Sequence, residues 1–387
     1  MKNLLVTMSG GTTSVINATL AGIIKSARQS KMIDKIYAGY PGIVGFMNDS
    51  IINLTDLTEK EINILKNSPG SASIGTTRAK IFDIDDLSNL KEKFEKYKIG
   101  FFINIGGNGT IKQTKLIASH IDEIFVASAP KTVDNDLGDQ EFEDLWFTPG
   151  FPSCVNYWKN KMLMLDNENI GASTNDKVLI AQTFGRETGF IVGSLRMYDV
   201  NRRKPIILLL PEDQRSPSEI LNKIENTIEK HGRAIIGICE GYKIKKYNHN
   251  LDQTGQIMYG SSETSSTQQL VNLCNKNKIQ ARGYNPTVDQ RQNFNFTLDK
   301  DLKTGYTIGV EIINNFKKNK SHFFQSYNHK KQMKTIPLNT IKNYSRKMKN
   351  QWIDFGNFDV SQDYIDYLEA IGEYSIKQKV FSAGKIL

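Results

Sequence analysis

Short runs of Ile, Val and Leu recur along the chain, each closed by a glycine-bearing turn and followed by residues at helical spacing. They fall at Leu4 to Met8, Phe101 to Ile105, Glu123 to Ala127, Lys177 to Ala181, Pro205 to Leu210 and Ala234 to Cys239. An apolar run without polar alternation marks a strand buried on both faces, and such strands belong to parallel sheets whose crossovers are helices. The expected fold class is therefore α/β, built from βα units. Loops that carry chemistry in such sheets gather beyond the carboxyl ends of the strands, and the glycine turns of this chain fall at those ends.

The 387 residues, 39% of them hydrophobic and 10% aromatic, can fill two ordinary cores or one large one, which excludes a disordered chain. One seam is expected near Thr148-Pro149-Gly150-Phe151-Pro152, before a long helical segment to about Asn167, and a second around Tyr284-Asn285-Pro286. Beyond about residue 325 the chain becomes rich in Lys and Asn, with one amphipathic stretch at Tyr364 to Ile371, and reads as an elaboration packed on the body. The net charge of +9 is concentrated at Lys317 to Lys320 and Lys330 to Lys349, away from the glycine turns, and reads as a solvated basic face. No zinc spacing or aromatic RNA-binding signature accompanies it, so no nucleic-acid partner is expected. Cys154, Cys239 and Cys274 are too few and too far apart for a disulfide framework. The run Met1 to Met8 is too short for a signal-peptide core, and no apolar stretch is long enough to span a bilayer. A cytoplasmic protein without a membrane partner is expected.

Five constellations carry possible chemistry. Ser9-Gly10-Gly11-Thr12-Thr13 follows the first strand and opens a helix, where backbone N–H groups and the helix dipole favour a phosphate; a plain tight turn is the alternative. Gly75-Thr76-Thr77-Arg78 offers hydroxyls and a guanidinium to a phosphoryl group, or is a loop with a surface arginine. Gly106-Gly107-Asn108-Gly109-Thr110 repeats the strand, turn and helix arrangement. Pro130-Lys131-Thr132-Val133-Asp134-Asn135-Asp136 sets two carboxylates at i and i+2 beside a lysine. Phosphoryl transfer to an alcohol needs such a set: one acid for the hydroxyl proton, one for Mg²⁺, and a cation for the phosphate. An Asx-rich turn would explain the Asp and Asn content but not the Pro-Lys-Thr prefix. Finally Phe184-Gly185-Arg186, Cys239-Glu240-Gly241, Arg282 and Gln290-Arg291 border expected strands and would suit a sugar phosphate, although each arginine alone reads as a surface residue.

Taken together, in this order and spacing, these motifs resemble the phosphofructokinase family nearly end to end, most closely its bacterial pyrophosphate-dependent branch. The resemblance implies two similar Rossmann-like three-layer α/β/α domains with the active site in the cleft between them. The donor-phosphate domain would span 1–147, completed by about 290–325, the sugar-phosphate domain 148–289, and a C-terminal extension 326–387. It also implies phosphoryl transfer to O1 of fructose 6-phosphate, giving fructose 1,6-bisphosphate. Asp134 would be the base, with Lys131, Thr132 and Asp136 completing the catalytic group. Gly11, Arg78, Gly107, Asn108, Gly109, Thr110 and Lys131 would face the donor. Thr132, Asp134, Phe184, Gly185, Arg186, Glu240 and Arg291 would bind the sugar phosphate, and Asn108 and Asp136 would hold Mg²⁺. Lys177 and Arg282 match positions that reach the sugar phosphate of a neighbouring subunit, which implies a homodimer or homotetramer.

Three positions depart from the common family pattern. Asn108 stands where Asp is common, although Asn is usual in the branch the chain most resembles, and an amide brings no charge to a metal. Phe184 replaces a more usual methionine. Gly109 is typical of ATP users, whereas pyrophosphate users carry Asp there; Lys131 points to pyrophosphate, since many ATP users have glycine in its place. With the rest of the chain resembling the pyrophosphate branch, pyrophosphate is the expected donor and ATP the alternative. A noncatalytic sugar-phosphate-binding relative is a further reading, opposed by the retention of both Asp134 and Asp136. A dinucleotide oxidoreductase lacks support, because no turn has the G-x-G-x-x-G spacing.

Overall fold

The computed structural model describes residues 1–68, 70, 73–79, 84–244, 250–251, 257–342 and 344–376. Two sheets organise them. The first contains β1 (Lys2–Met8), β2 (Ile33–Gly39), β3 (Ile51–Asn53), β4 (Ile99–Gly106), β5 (Phe125–Pro130), β10 (Phe323–Tyr327) and β11 (Met333–Pro337), in the order β11-β10-β5-β4-β1-β2-β3. Its central strands are parallel, and only the edge strands β3 and β11 run antiparallel. The second contains β6 (Val178–Thr183), β7 (Ile206–Leu209), β8 (Ala234–Cys239) and β9 (Ala281–Tyr284), all parallel, in the order β7-β8-β6-β9. β12 (Ile353–Asp354) and β13 (Asp359–Val360) form a separate short ladder.

The uninterrupted apolar runs mark the sheet interiors: every residue of β4, β6 and β8 is buried. Two strands that the runs do not announce are only partly covered. β9 exposes Arg282 and Gly283, and β2 exposes Asp34 and Lys35, because neither is covered along its whole length. The long helix expected from Phe151 to about Asn167 runs from Phe151 to Ala172.

Helix Asp299–Lys317 joins the two halves of the fold. It packs on helix Ile16–Arg28 with backbones nearly touching, and a Cβ added at Gly22 or Gly309 would overlap a carbonyl oxygen of the other helix. From its first turn, Asp301 accepts hydrogen bonds from Gly150 N, Ser153 N and Ser153 Oγ at 2.6–3.2 Å, capping the long helix from outside its own sequence.

The boundary expected at 325/326 falls inside β10, which pairs parallel to β5 (Phe323 with Ala127) and is followed by β11 on the sheet edge. The amphipathic stretch is the helix Gln362–Ile371, whose Tyr364, Ile365, Tyr367, Leu368 and Ile371 enter a core shared with Phe142, Phe190 and Trp352. Residues 377–387 of the expected extension lie outside the described residues. One residue of the basic C-terminal run is not on a solvated face: Arg346 is fully buried. All three cysteines are free and buried. Among the described residues, no helix is long and apolar enough to cross a membrane.

Candidate active site

A cleft of about 720 Å³ lies between the carboxyl ends of the two sheets. The first sheet contributes the turns after β1 (Ser9 to Thr13), β4 (Gly107 to Thr110) and β5 (Lys131 to Asp136), while Arg78 reaches in from the segment beside β1. The second contributes Phe184 and Arg186 after β6, Glu240 after β8 and Arg291 beyond β9.

The turn after β1 is held open by its neighbours. Gly10 has φ of 78°, its N–H donates to Thr77 O (2.9 Å), and its carbonyl accepts from Thr76 Oγ1 (2.8 Å). A Cβ at Gly11 would stand 2.5 Å from Arg291 Nη1, so a side chain there would displace that guanidinium. Lys131 sits under the same turn, 3% exposed, and its ammonium donates to Ser9 O (2.9 Å) and Gly11 O. Burial, with Arg291 and Arg78 close by, brings this lysine down to about 7.

The acidic turn lies directly beyond. Thr132 Oγ1 donates to Asp134 Oδ2 and accepts from Asp134 N, both at 3.2 Å. Burial raises the Asp134 carboxyl, opposed chiefly by Arg186 and by the Thr132 hydrogen bond. Asp136 is pushed up to about 7 by burial and by the Asp134 charge. Asn108 crosses from the neighbouring turn, its Nδ2 donating to Asp136 Oδ2 at 3.1 Å. The two carboxylates lie close together and half-buried, so each raises the cost of charging the other, and bound positive charge would relieve that cost.

On the opposite wall, Gly185 (φ 124°) and Arg186 (φ 54°) turn the chain sharply after β6. Arg186 N donates to Glu240 Oε1 (3.3 Å), and burial together with Asp134 raises the Glu240 carboxyl to about 8. The Arg291 guanidinium stacks over Phe184, 5.2 Å from the ring centroid. Gln290 supports this wall from behind, its Oε1 accepting from Phe184 N (2.9 Å) and Trp158 Nε1 (3.0 Å). A Cβ at Gly241 would overlap the Arg186 carbonyl oxygen, a backbone atom fixed by the β6 turn. Gly241→Ala is therefore expected to cost roughly 2–3 kcal/mol of stability, as an overpacking substitution does. Urea unfolding measures it, and an unchanged midpoint would show that the Arg186 turn yields freely.

The sequence profile of the family described as Phosphofructokinase matches residues 3–306. The chain belongs to the phosphofructokinase family. Over 252 residues it is 30% identical to the pyrophosphate–fructose 6-phosphate 1-phosphotransferase of Halomonas elongata, a match spanning 62% of this chain and 58% of that protein. The protein of the same name from Methylococcus capsulatus is 23% identical over 393 residues, spanning 96% of this chain and 92% of that one. In fold, the chain superposes on a crystal structure of a pyrophosphate-dependent phosphofructokinase from Nitrosospira multiformis with a TM-score of 0.84. That pair is 23% identical, over 97% of this chain and 93% of that one.

Most positions singled out from the phosphofructokinase resemblance meet in the one cleft. Gly11, Arg78, Gly107, Asn108, Gly109, Thr110, Lys131, Thr132, Asp134, Asp136, Phe184, Arg186, Glu240 and Arg291 all line it, with Gly185 forming the turn between two of them. Lys177 and Arg282 do not line it. Lys177 is exposed at the start of β6, and Arg282 is ion-paired with Glu168 (3.2 Å) and Asp176 (2.6 Å) on the outside of β9. The cleft also holds residues to which the sequence reading gave no individual role. Ser9 Oγ, Thr13 Oγ1 and Gln113 Nε2 are buried in its wall without a hydrogen-bond partner among the described residues, and Met258 and Tyr259 close its rim. Ser9 and Thr13 were visible beside the glycines, whereas Gln113 sits one helical turn into Asn108–Ala118 and carries no local signal.

Proposed function

We propose that the chain transfers a phosphoryl group from pyrophosphate to O1 of fructose 6-phosphate, forming fructose 1,6-bisphosphate and phosphate. The observation that carries this reading is the half-buried Asp134–Asp136 pair, flanked by Lys131 on the glycine-turn side and by Arg186, Glu240 and Arg291 on the other. The curated relatives named above support pyrophosphate as donor.

In this reading the sugar phosphate lies against Phe184, Arg186 and Arg291, with Glu240 on its hydroxyls. Asp134 accepts the proton of the 1-hydroxyl as O1 attacks the terminal phosphorus of the donor, and the bond from that phosphorus to the bridging oxygen breaks, releasing phosphate. Thr132 fixes the carboxylate for that task. Lys131, Arg78 and the N–H groups of the turns at Gly11 and at 107–110 receive the charge on the donor oxygens. Mg²⁺ fits between Asn108 and Asp136: the side chains already meet, Asp136 has no ion pair among the described residues, and a flip of the Asn108 amide presents its oxygen. When bound, the ion supplies positive charge to the donor oxygens. Arg282 and Lys177, outside this chain's own cleft, would serve a neighbouring copy in a homo-oligomer.

ATP is the second reading, favoured by Gly109, which brings neither bulk nor charge beside the donor turn. Fructose 1,6-bisphosphate formation, measured with Mg²⁺ and with pyrophosphate or ATP supplied separately, tests both. Pyrophosphate alone is expected to support turnover. Turnover with ATP alone would replace the donor, and silence with both in a sugar-binding protein would overturn the reading.

A further inference from the structure

Asp134 and Asp136 both line the cleft, yet Asn135 between them is fully buried with φ of 55°, a left-handed conformation that costs a non-glycine residue free energy unless its surroundings impose it. The surroundings come from more than 200 positions further along the chain. Arg346 Nε donates to Asn135 O (2.8 Å), Arg346 Nη2 to Asn135 Oδ1 (2.7 Å), and Arg346 N to Asp136 O (2.8 Å). Its remaining arm donates to Leu145 O, and the guanidinium lies 3.8 Å from the Phe142 ring centroid. From the helix Gln362–Ile371, Tyr367 OH accepts from Asn135 Nδ2 (2.9 Å) and donates to Trp146 O (2.9 Å). The Asn135 amide oxygen also accepts from Thr148 N at 3.0 Å. A bridge between Leu137 and Ser345, with Gly138 N donating to Tyr344 O (2.9 Å), ties the two segments together just beyond.

A fully buried arginine without an ion pair among the described residues is costly to keep, and here its hydrogen bonds are spent on the backbone and amide of one turn. We propose that Arg346 and Tyr367 are positioning residues for phosphoryl transfer, clamping Asn135 so that Asp134 and Asp136 face the cleft together. The role is geometric: neither residue lines the cleft, so neither touches the reactants directly. It gives the C-terminal segment a place in catalysis and rests on the function proposed above.

Arg346→Lys keeps the charge but loses the fork that spans Asn135 O and Oδ1, and Tyr367→Phe deletes one hydroxyl from a packed aromatic layer. In the full-length protein, Arg346→Lys is expected to lower kcat about 100-fold and Tyr367→Phe about tenfold, with the KM for fructose 6-phosphate changed less than about threefold. Hydrogen exchange of the segment 132–138 should speed up in both variants while the sheet strands keep their protection. A folded Arg346→Lys with kcat within about twofold of wild type would overturn the proposal, as would equal loss of kcat and sugar affinity in step with the folded fraction. If Arg346→Lys does not fold, Tyr367→Phe decides alone: unchanged kcat and unchanged exchange at 132–138 would overturn it. Should the unmodified protein transfer no phosphoryl group, the function proposed above fails, while the exchange comparison still decides whether the clamp exists.

Discussion

Asp134→Ser is expected to reduce kcat by about 10³- to 10⁴-fold while leaving fructose 6-phosphate binding nearly intact, as loss of a positioned general base does. The carboxylate is held by Thr132 Oγ1 at 3.2 Å, and Arg186 and Arg291 act on it from the sugar-facing wall. Serine keeps a hydroxyl in the turn but cannot take the proton from O1 at neutral pH. Because the sugar phosphate would be gripped by Arg186, Arg291 and Glu240, its dissociation constant should move less than about threefold, and calorimetric titration with fructose 6-phosphate checks that separately from turnover. A variant that retains wild-type kcat would remove Asp134 from the chemistry and return attention to Asp136 as the base.

The second large effect concerns Lys131. Lys131→Met is expected to cost about 10²- to 10³-fold in turnover with pyrophosphate, the scale of removing one preorganised donor to a developing anion. The variant also leaves the carbonyls of Ser9 and Gly11 without their ammonium, so its unfolding midpoint should be measured alongside. The pH dependence gives a cleaner test. Burial, then Arg291 and Arg78, hold Lys131 down to about 7, so the side chain is charged below that pH and neutral above it. Anion binding requires the charged form and should weaken as the pH rises from 6 to 8, by about tenfold per unit once above 7. Sulfate, whose charge does not change over that interval, is the probe. Lys131→Met should bind it weakly and with a shallower slope, the remainder coming from Asp136 and Glu240, which gain negative charge over the same interval; equal slopes in the two proteins would place Lys131 outside the anion site.

Much of the site was legible because phosphate chemistry leaves local marks. Gly10-Gly11, Gly106-Gly107 and Pro130 to Asp136 each combine a strand end, a turn and the functional side chain within a few residues, and all three converge on one cleft. Arg186 and Arg291 were legible only as members of a set, since an isolated arginine reads as surface. Lys177 and Arg282, matched through the resemblance to positions that reach the sugar phosphate of a neighbouring subunit, lie outside the cleft of their own chain, with Arg282 ion-paired to Glu168 and Asp176. Gln113, Met258 and Tyr259 carried no signal, because residues on a helix or rim become part of a site only through what packs opposite them.

The amino-acid sequence alone determined the α/β class and the location of the chemistry. Residues buried on both faces must be apolar throughout, and turns that approach a phosphate must be glycine-rich; both constraints act locally and so are written locally. Tertiary structure decided the rest. It added β10 and β11 to the first sheet, where a pairing partner rather than composition makes a strand. It buried Lys131 and Arg346, two residues that by composition belong in solvent, and so gave one its lowered basicity and the other its hold on Asn135. Desolvation and long-range hydrogen bonding depend on neighbours distant in sequence, and no reading of local spacing contains them.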